Sequence, residues 1–95
     1  LKVYDALLSL VRHKTINDLT ARQLVVLMAC RERNRTIRDL AEEMNVAKPA
    51  VTRAVDKLAD YNLVVRKDDP DDRRSIFVVI RPSGVKYLRD TVGIE

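Results

Sequence analysis

A mostly helical α+β domain, three packed helices followed by a β-hairpin, is the fold class this sequence predicts. Three observations carry the prediction. Apolar residues recur at helical spacing through "LTARQLVVLMACRER", "IRDLAEEMN" and "KPAVTRAVDKLADY". The period then shortens, and "LVVRK" and "IFVVIR" read as β-branched strands bounded by turn residues. The second and third of those helices are separated by a joint at Asn45 too short for anything but a tight turn.

The elements follow in order. Residues 2–13 place Val3, Leu7, Leu10 and Val11 on one helical stripe. Polar "KTIND" links this stripe to the next helix, which starts after Thr20, because Thr20 and Gln23 have capping-box spacing. From Leu24 to Cys30 every residue is apolar, so this helix is expected to be central and buried on most sides. Asn34 is expected to end it in a left-handed conformation, with Arg31 and Arg33 at the negative end of its dipole. Thr36 then caps a short helix in which Ile37, Leu40, Ala41 and Met44 share a face. Asn45 takes the positive φ of the turn. Pro49 marks the first turn of the following helix, where its missing N–H is harmless. Val51, Ala54, Val55 and Leu58 face inward; Pro49, Ala50, Thr52, Arg53, Asp56, Lys57 and Asp60 face outward. After the hairpin, "RPSGVKYLRDTVGIE" begins another helix.

Composition narrows the function. The chain has 95 residues, enough for one domain with a modest core. With 46% hydrophobic and 34% charged residues it reads as globular, and no apolar run suggests a membrane span, signal peptide or anchor. It opens at Leu1, not at methionine, which reads as a segment of a longer polypeptide. A net charge of +4 favours a polyanionic partner. The lone cysteine excludes an internal disulfide and fits a reducing cytoplasm. One histidine and one cysteine do not make a usual zinc set, and the two glycines, Gly84 and Gly93, make no phosphate loop. No catalytic constellation and no cofactor are expected.

Helix, helix, tight turn, helix, hairpin is the order of a winged helix-turn-helix. Small Ala41 permits a close crossing, Val46 plugs the turn and Val51 closes the angle. Such a pair presents its second helix to a DNA major groove. Lys48 stands where it reaches a phosphate, Thr52 suits a phosphate or a thymine methyl, Arg53 suits guanine O6 and N7, and Lys57 suits the backbone. Arg38 is a further candidate for a phosphate. An ordinary solvated helix face is the competing explanation, with Asp56 and Asp60 placing any contact near the helix start.

The stretch "DDPDDRRSIF" crowds acids around Pro70 and follows them at once with Arg73 and Arg74. A hairpin loop of ordinary length has ~2–5 residues, and this one reads as longer, which suggests use. Asp71 or Asp72 is placed to bond back to the backbone. Asp72 is also placed to hold the Arg74 guanidinium, preorienting it for a narrow, negative minor groove. A solvated turn whose charges cancel is the bland alternative. Cys30 reads as a buried structural thiol, His13 as a surface or helix-end residue, and Glu42 and Glu43 as a solvated face.

"LTARQLVVL", "TIRDLAEEMNVAKPAVTRAVDKLADYNLVVRK" and "DDPDDRRSIFVVIRPSG", spanning about residues 19–90, resemble the multiple-antibiotic-resistance regulator (MarR) family of winged-helix transcription regulators. The Asp-x-Arg of Asp72, Arg73 and Arg74 after Asp69-Pro70 is the most specific part. The resemblance implies a recognition helix from Lys48 and a minor-groove arginine at Arg74 steadied by Asp72. It implies a cytoplasmic repressor, homodimeric at full length, on a pseudo-palindromic double-stranded operator, with a small-molecule effector of unassigned chemistry. The expected organisation is one domain over 1–95. Helix-turn-helix occupies 36–61, the wing 62–81, and parts of the family's dimerisation helices 1–18 and 82–95. Ala47 stands where the family often has a capping serine or threonine, Arg81 where it usually has a threonine, and family members are longer. A winged helix serving protein–protein contact is the rival reading.

Overall fold

The computed structural model describes residues 2–94. Within them, the chain forms α1 (Lys2–Val11), α2 (Ala21–Glu32), β1 (Arg35–Thr36), α3 (Ile37–Met44), α4 (Lys48–Asp60), β2 (Val64–Asp69), β3 (Asp72–Ile80) and α5 (Pro82–Thr91). The strands make one antiparallel sheet in the order β1-β3-β2.

Local chemistry sets most boundaries. The Thr20 hydroxyl accepts the Gln23 N–H at 3.1 Å, and the Gln23 side-chain Oε1 accepts the Thr20 N–H at 3.0 Å, completing the capping box of α2. Thr36 caps α3 by accepting the Asp39 N–H at 3.0 Å. Asn45 ends α3 at φ 56°, ψ 47°, and the Val46 N–H then reaches the Ala41 carbonyl at 3.0 Å. Asn62, at φ 64°, plays the same part after α4. Ala47 and Arg81 start α4 and α5 without a side-chain cap, and each helix has proline in its first turn.

The core lies where α2, α3 and α4 meet the sheet. Leu27, Leu40, Val51, Val55, Leu58 and Val78 have no exposed surface. Fully burying each such side chain stabilises the fold by about 1.5–3 kcal/mol. Ala41 and Ala54 are buried as well, and their small side chains allow the helices to cross closely. Gly84 serves the same end in α5. A Cβ there would press into the Leu63 carbonyl oxygen and meet Ile80 Cγ1 at 2.7 Å. That carbonyl also accepts the Arg81 N–H at 2.9 Å, so α5 is tied to the start of the hairpin at its closest approach.

Several sequence expectations need correction. Asn34 does not end α2 in a left-handed turn: Arg33 caps the helix in extended geometry at φ −167°, and Asn34 is not among the positive-φ residues. The reason is β1, which the sequence pattern did not reveal. Arg35 and Thr36 pair with Val78 and Phe77, so the chain must leave α2 extended. Nor is α2 covered on most sides, since Val25 is 44% and Met28 37% exposed. They border a hollow of about 530 Å³ shared with Ala29, Arg31, Glu32, Glu43 and Ile94. The α1 stripe buries only Leu10; Val3, Leu7 and Val11 lie open to solvent. His13 is half-buried beyond the end of α1. Its Nδ1 accepts the Ile16 N–H at 3.1 Å, and its ring lies 5.1 Å from that of Tyr87.

Arg35 is 3% exposed and bridges Glu32 at 3.1 Å and Glu43 at 2.9 Å. Burial alone would lower its pKa, but hydrogen bonds and charge from Glu43, then Glu32, hold it above the usual guanidinium range. Glu43 is therefore a structural partner as well as part of a wet helix face. Cys30 is buried as expected. Desolvation pushes its thiol up to about 12, opposed by the nearby charge of Arg35.

Candidate nucleic-acid interface

The start of α4, at Lys48 and Thr52, borders the same cleft as Arg74, Ser75 and Ile76 of the hairpin. On α4, Lys48, Pro49, Arg53 and Lys57 are exposed, and Ala50 and Thr52 are half-buried. Arg53 makes no ion pair among the described residues. Asp56 pairs with Arg66 of β2, so one of the two acids on this face is neutralised by the hairpin. The Lys57 Nζ sits 5.1 Å from the centre of the Tyr61 ring, which draws it toward the C-terminal end of the helix.

The hairpin tip has an unexpected construction. The strands run to a two-residue turn at Pro70 and Asp71, so the loop itself is short. The surplus residues lie within β3. Asp68 faces Ile76 and Asp69 faces Asp72, which leaves Arg73, Arg74 and Ser75 unopposed on one strand. This is a β-bulge of the kind that re-aims side chains near functional sites. Aspartates hold it. The Asp69 carboxylate accepts the Asp71 N–H at 2.9 Å across the turn. Asp72 Oδ1 accepts the backbone N–H of Arg74 at 2.9 Å, and Oδ2 accepts the Ser75 hydroxyl at 3.3 Å. The expected grip of Asp72 on the Arg74 guanidinium is therefore replaced by a grip on the backbone. A carboxylate two residues before an N–H closes a local turn more readily than it reaches the end of a long side chain.

A cleft of about 170 Å³ opens between α3, α4 and this bulge. Thr36, Ile37, Arg38, Lys48, Thr52, Arg74, Ser75 and Ile76 line it. Four sequence candidates thus meet: Arg38 from α3, Lys48 and Thr52 from α4, and Arg74 from the wing. Among the described residues, no carboxylate lines the cleft. Arg53 and Lys57 lie farther along α4, and Arg73 is exposed outside the cleft. Sequence reasoning missed Ser75 and the cleft-facing role of Thr36. The serine directly after two arginines was the available signal. Arg66 carried none, since its pairing with Asp56 depends on how the hairpin folds back on α4.

Two helices crossing at a tight turn, with a hairpin wing beside the second, define a winged helix-turn-helix protein. The model of the MarR family matches residues 19–76, and the chain belongs to that family of transcription regulators. The transcriptional regulator BldR from Sulfolobus solfataricus is similar in structure, at TM-score 0.77 and 31% identity over 94% of this chain and 62% of that one. The YusO protein from Bacillus subtilis is similar at TM-score 0.80 and 26% identity, over 96% of this chain and 62% of that one. The chain thus spans less than two thirds of the length of either. No curated protein matches it in sequence. Among the described residues, no helix is long and apolar enough to cross a membrane.

Proposed function

We propose that this chain is the DNA-reading part of a repressor. In this reading α4 enters the major groove of double-stranded DNA, with Arg53 on a base edge and Lys48, Thr52 and Lys57 near the backbone. Pro49 and Ala50 bring the helix start close, and the wing carries Arg73 and Arg74 to the flanking minor groove. The observation that carries the reading is the cleft, where cations from three separate elements converge with no acid among the described residues. Repression is the sign of regulation that occupancy alone delivers.

The exposed apolar stripe of α1 supports a second part of the proposal, assembly of the intact protein as a C2 homodimer. Two recognition helices would then sit about 34 Å apart on a pseudo-palindromic operator. Selection from random duplexes, followed by affinity measurements across a salt series, tests DNA reading. Enrichment of one site and a steep salt slope are expected. A flat slope, or binding with no preferred site, would leave the winged helix as a protein-contact module. Sedimentation of the intact protein tests assembly, and a strictly monomeric species on a single half-site would end that part.

A further inference from the structure

The outward face of α4 carries one acid within reach of Arg53. Side chains three residues apart on a helix are neighbours, with Cβ atoms about 5–6 Å apart, and an aspartate and an arginine so spaced attract each other. Arg53 and Asp56 have that spacing. A rise of ~1.5 Å per residue sets them about 4.5 Å apart along the axis, inside the ~8 Å over which charges act at physiological salt. Asp60 stands about 10.5 Å along the axis from Arg53, beyond that range. An unpaired Asp56 would therefore draw the Arg53 guanidinium back onto the helix and oppose approaching phosphates.

The hairpin removes this competitor. Val64 and Arg66 are two residues apart on β2 and share one face of the strand. Val64 is buried, and Arg66, farther out, meets α4, where its Nη2 donates to Asp56 Oδ1. Among the described residues this is the only ion pair joining α4 to the hairpin, and Arg53 forms none. Lys57 follows Asp56 directly but does not take its place, since its Nζ lies 5.1 Å from the centre of the Tyr61 ring. We propose that Arg66 is a positioning residue for base reading: by occupying Asp56 it keeps Arg53 free for a guanine edge. The inference rests on the DNA reading above and deepens it. Arg66 acts without touching a nucleotide, so the hairpin governs the major-groove contact through a charge as well as carrying arginines of its own.

Fluorescence anisotropy of the full chain tests the arrangement on its preferred duplex and on duplexes altered at the base position that Arg53→Ala relaxes. Arg66→Gln should lower affinity for the preferred duplex about two- to fivefold, the range that a solvent-exposed ion pair spans. It should also weaken discrimination at the same base position as Arg53→Ala. Asp56→Asn in the Arg66→Gln background should restore both, because the freed acid is gone. Asp56→Asn alone should bind at least as well as the parent, and Arg66→Lys, which keeps the charge, should stay close to it. In the Arg53→Ala background, Arg66→Gln should remove no further discrimination. A strut that merely fixed the hairpin on α4 would behave differently, since the double variant lacks the bridge and would show no rescue. If Arg66 itself held a phosphate, Arg66→Gln would reduce the slope of log affinity against log salt by about 0.9, again without rescue. Either result, or weaker binding by Asp56→Asn alone, overturns the proposal. If the parent prefers no site, or Arg53→Ala leaves the preference intact, the DNA reading fails first and the inference falls with it. The Arg66 and Asp56 side chains are 33% and 58% exposed, so thermal melts of these variants should stay near that of the parent.

Discussion

Asp72 offers a sharp test of how the wing works, because two substitutions separate two kinds of grip. In Asp72→Ala the bulge loses an acceptor for the Arg74 N–H at 2.9 Å and for the Ser75 hydroxyl at 3.3 Å. A net hydrogen bond contributes about 0.5–1.5 kcal/mol. Both donors are solvent-exposed or nearly so and can turn to water, so the combined loss should fall near 1 kcal/mol, equivalent to about fivefold in affinity. Removing a negative charge beside DNA works in the opposite direction, and net weakening is expected only if the ordering of the bulge dominates. Asp72→Asn decides the mechanism. The amide oxygen still accepts the Arg74 N–H, so a backbone grip survives the change, whereas an ion pair with the guanidinium would not. Anisotropy at fixed salt should therefore rank the parent and Asp72→Asn close together, Asp72→Ala weaker and Arg74→Ala weakest. The double variant Asp72→Ala/Arg74→Ala should be no worse than Arg74→Ala alone, because both act through one side chain. Tighter binding by Asp72→Ala, or Asp72→Asn as poor as Asp72→Ala, would refute the backbone mechanism.

Three other outcomes are expected. Gly84→Ala should destabilise the fold by about 1–3 kcal/mol, since the new methyl meets a backbone carbonyl that cannot swing aside; a chemical melt equal to the parent would show that α5 shifts freely. Arg53→Ala should lose about 1–3 kcal/mol at the preferred site and relax the choice at one base position; an equal loss on all sequences would make Arg53 a phosphate contact. Cys30, with its thiol held near 12 from an ordinary 9.0, should resist thiol reagents at pH 8 until the protein unfolds. Because folding raises this pKa, its linked stability is full below about pH 9 and declines as pH climbs toward 12. Denaturant midpoints across that range check the sign, and rapid native labelling would place the thiol at the surface.

Much of the fold was legible because its signals are local. Thr20 with Gln23, Thr36, Asn45 and Pro49 each declare a helix end within a few residues of chain, and each stands where expected. Inward-facing Val51, Ala54, Val55 and Leu58 follow from helical spacing alone. What escaped was set by distant partners. Arg35 looks like one more surface arginine until β1 pairs with β3 and carries it between Glu32 and Glu43. An all-apolar segment from Leu24 to Cys30 signals burial, but which side receives neighbours is decided by packing, and Val25 and Met28 received few. At the candidate site the residue types were readable and their meeting was not. Arg38 and Arg74 are far apart in sequence, and only the fold brings them to one cleft.

The three unopposed residues of β3 also bear on how such a wing could diverge. Pairing from Val64 with Ile80 to Asp68 with Ile76 is complete on the near side of the bulge. A residue added or deleted among Arg73, Arg74 and Ser75 would leave that ladder, and the core beneath it, in register. The reach of the arginines would change while the scaffold did not. The hairpin tip therefore behaves as an exchangeable cassette, a place where length can vary among descendants and alter what is read without a new fold having to be found.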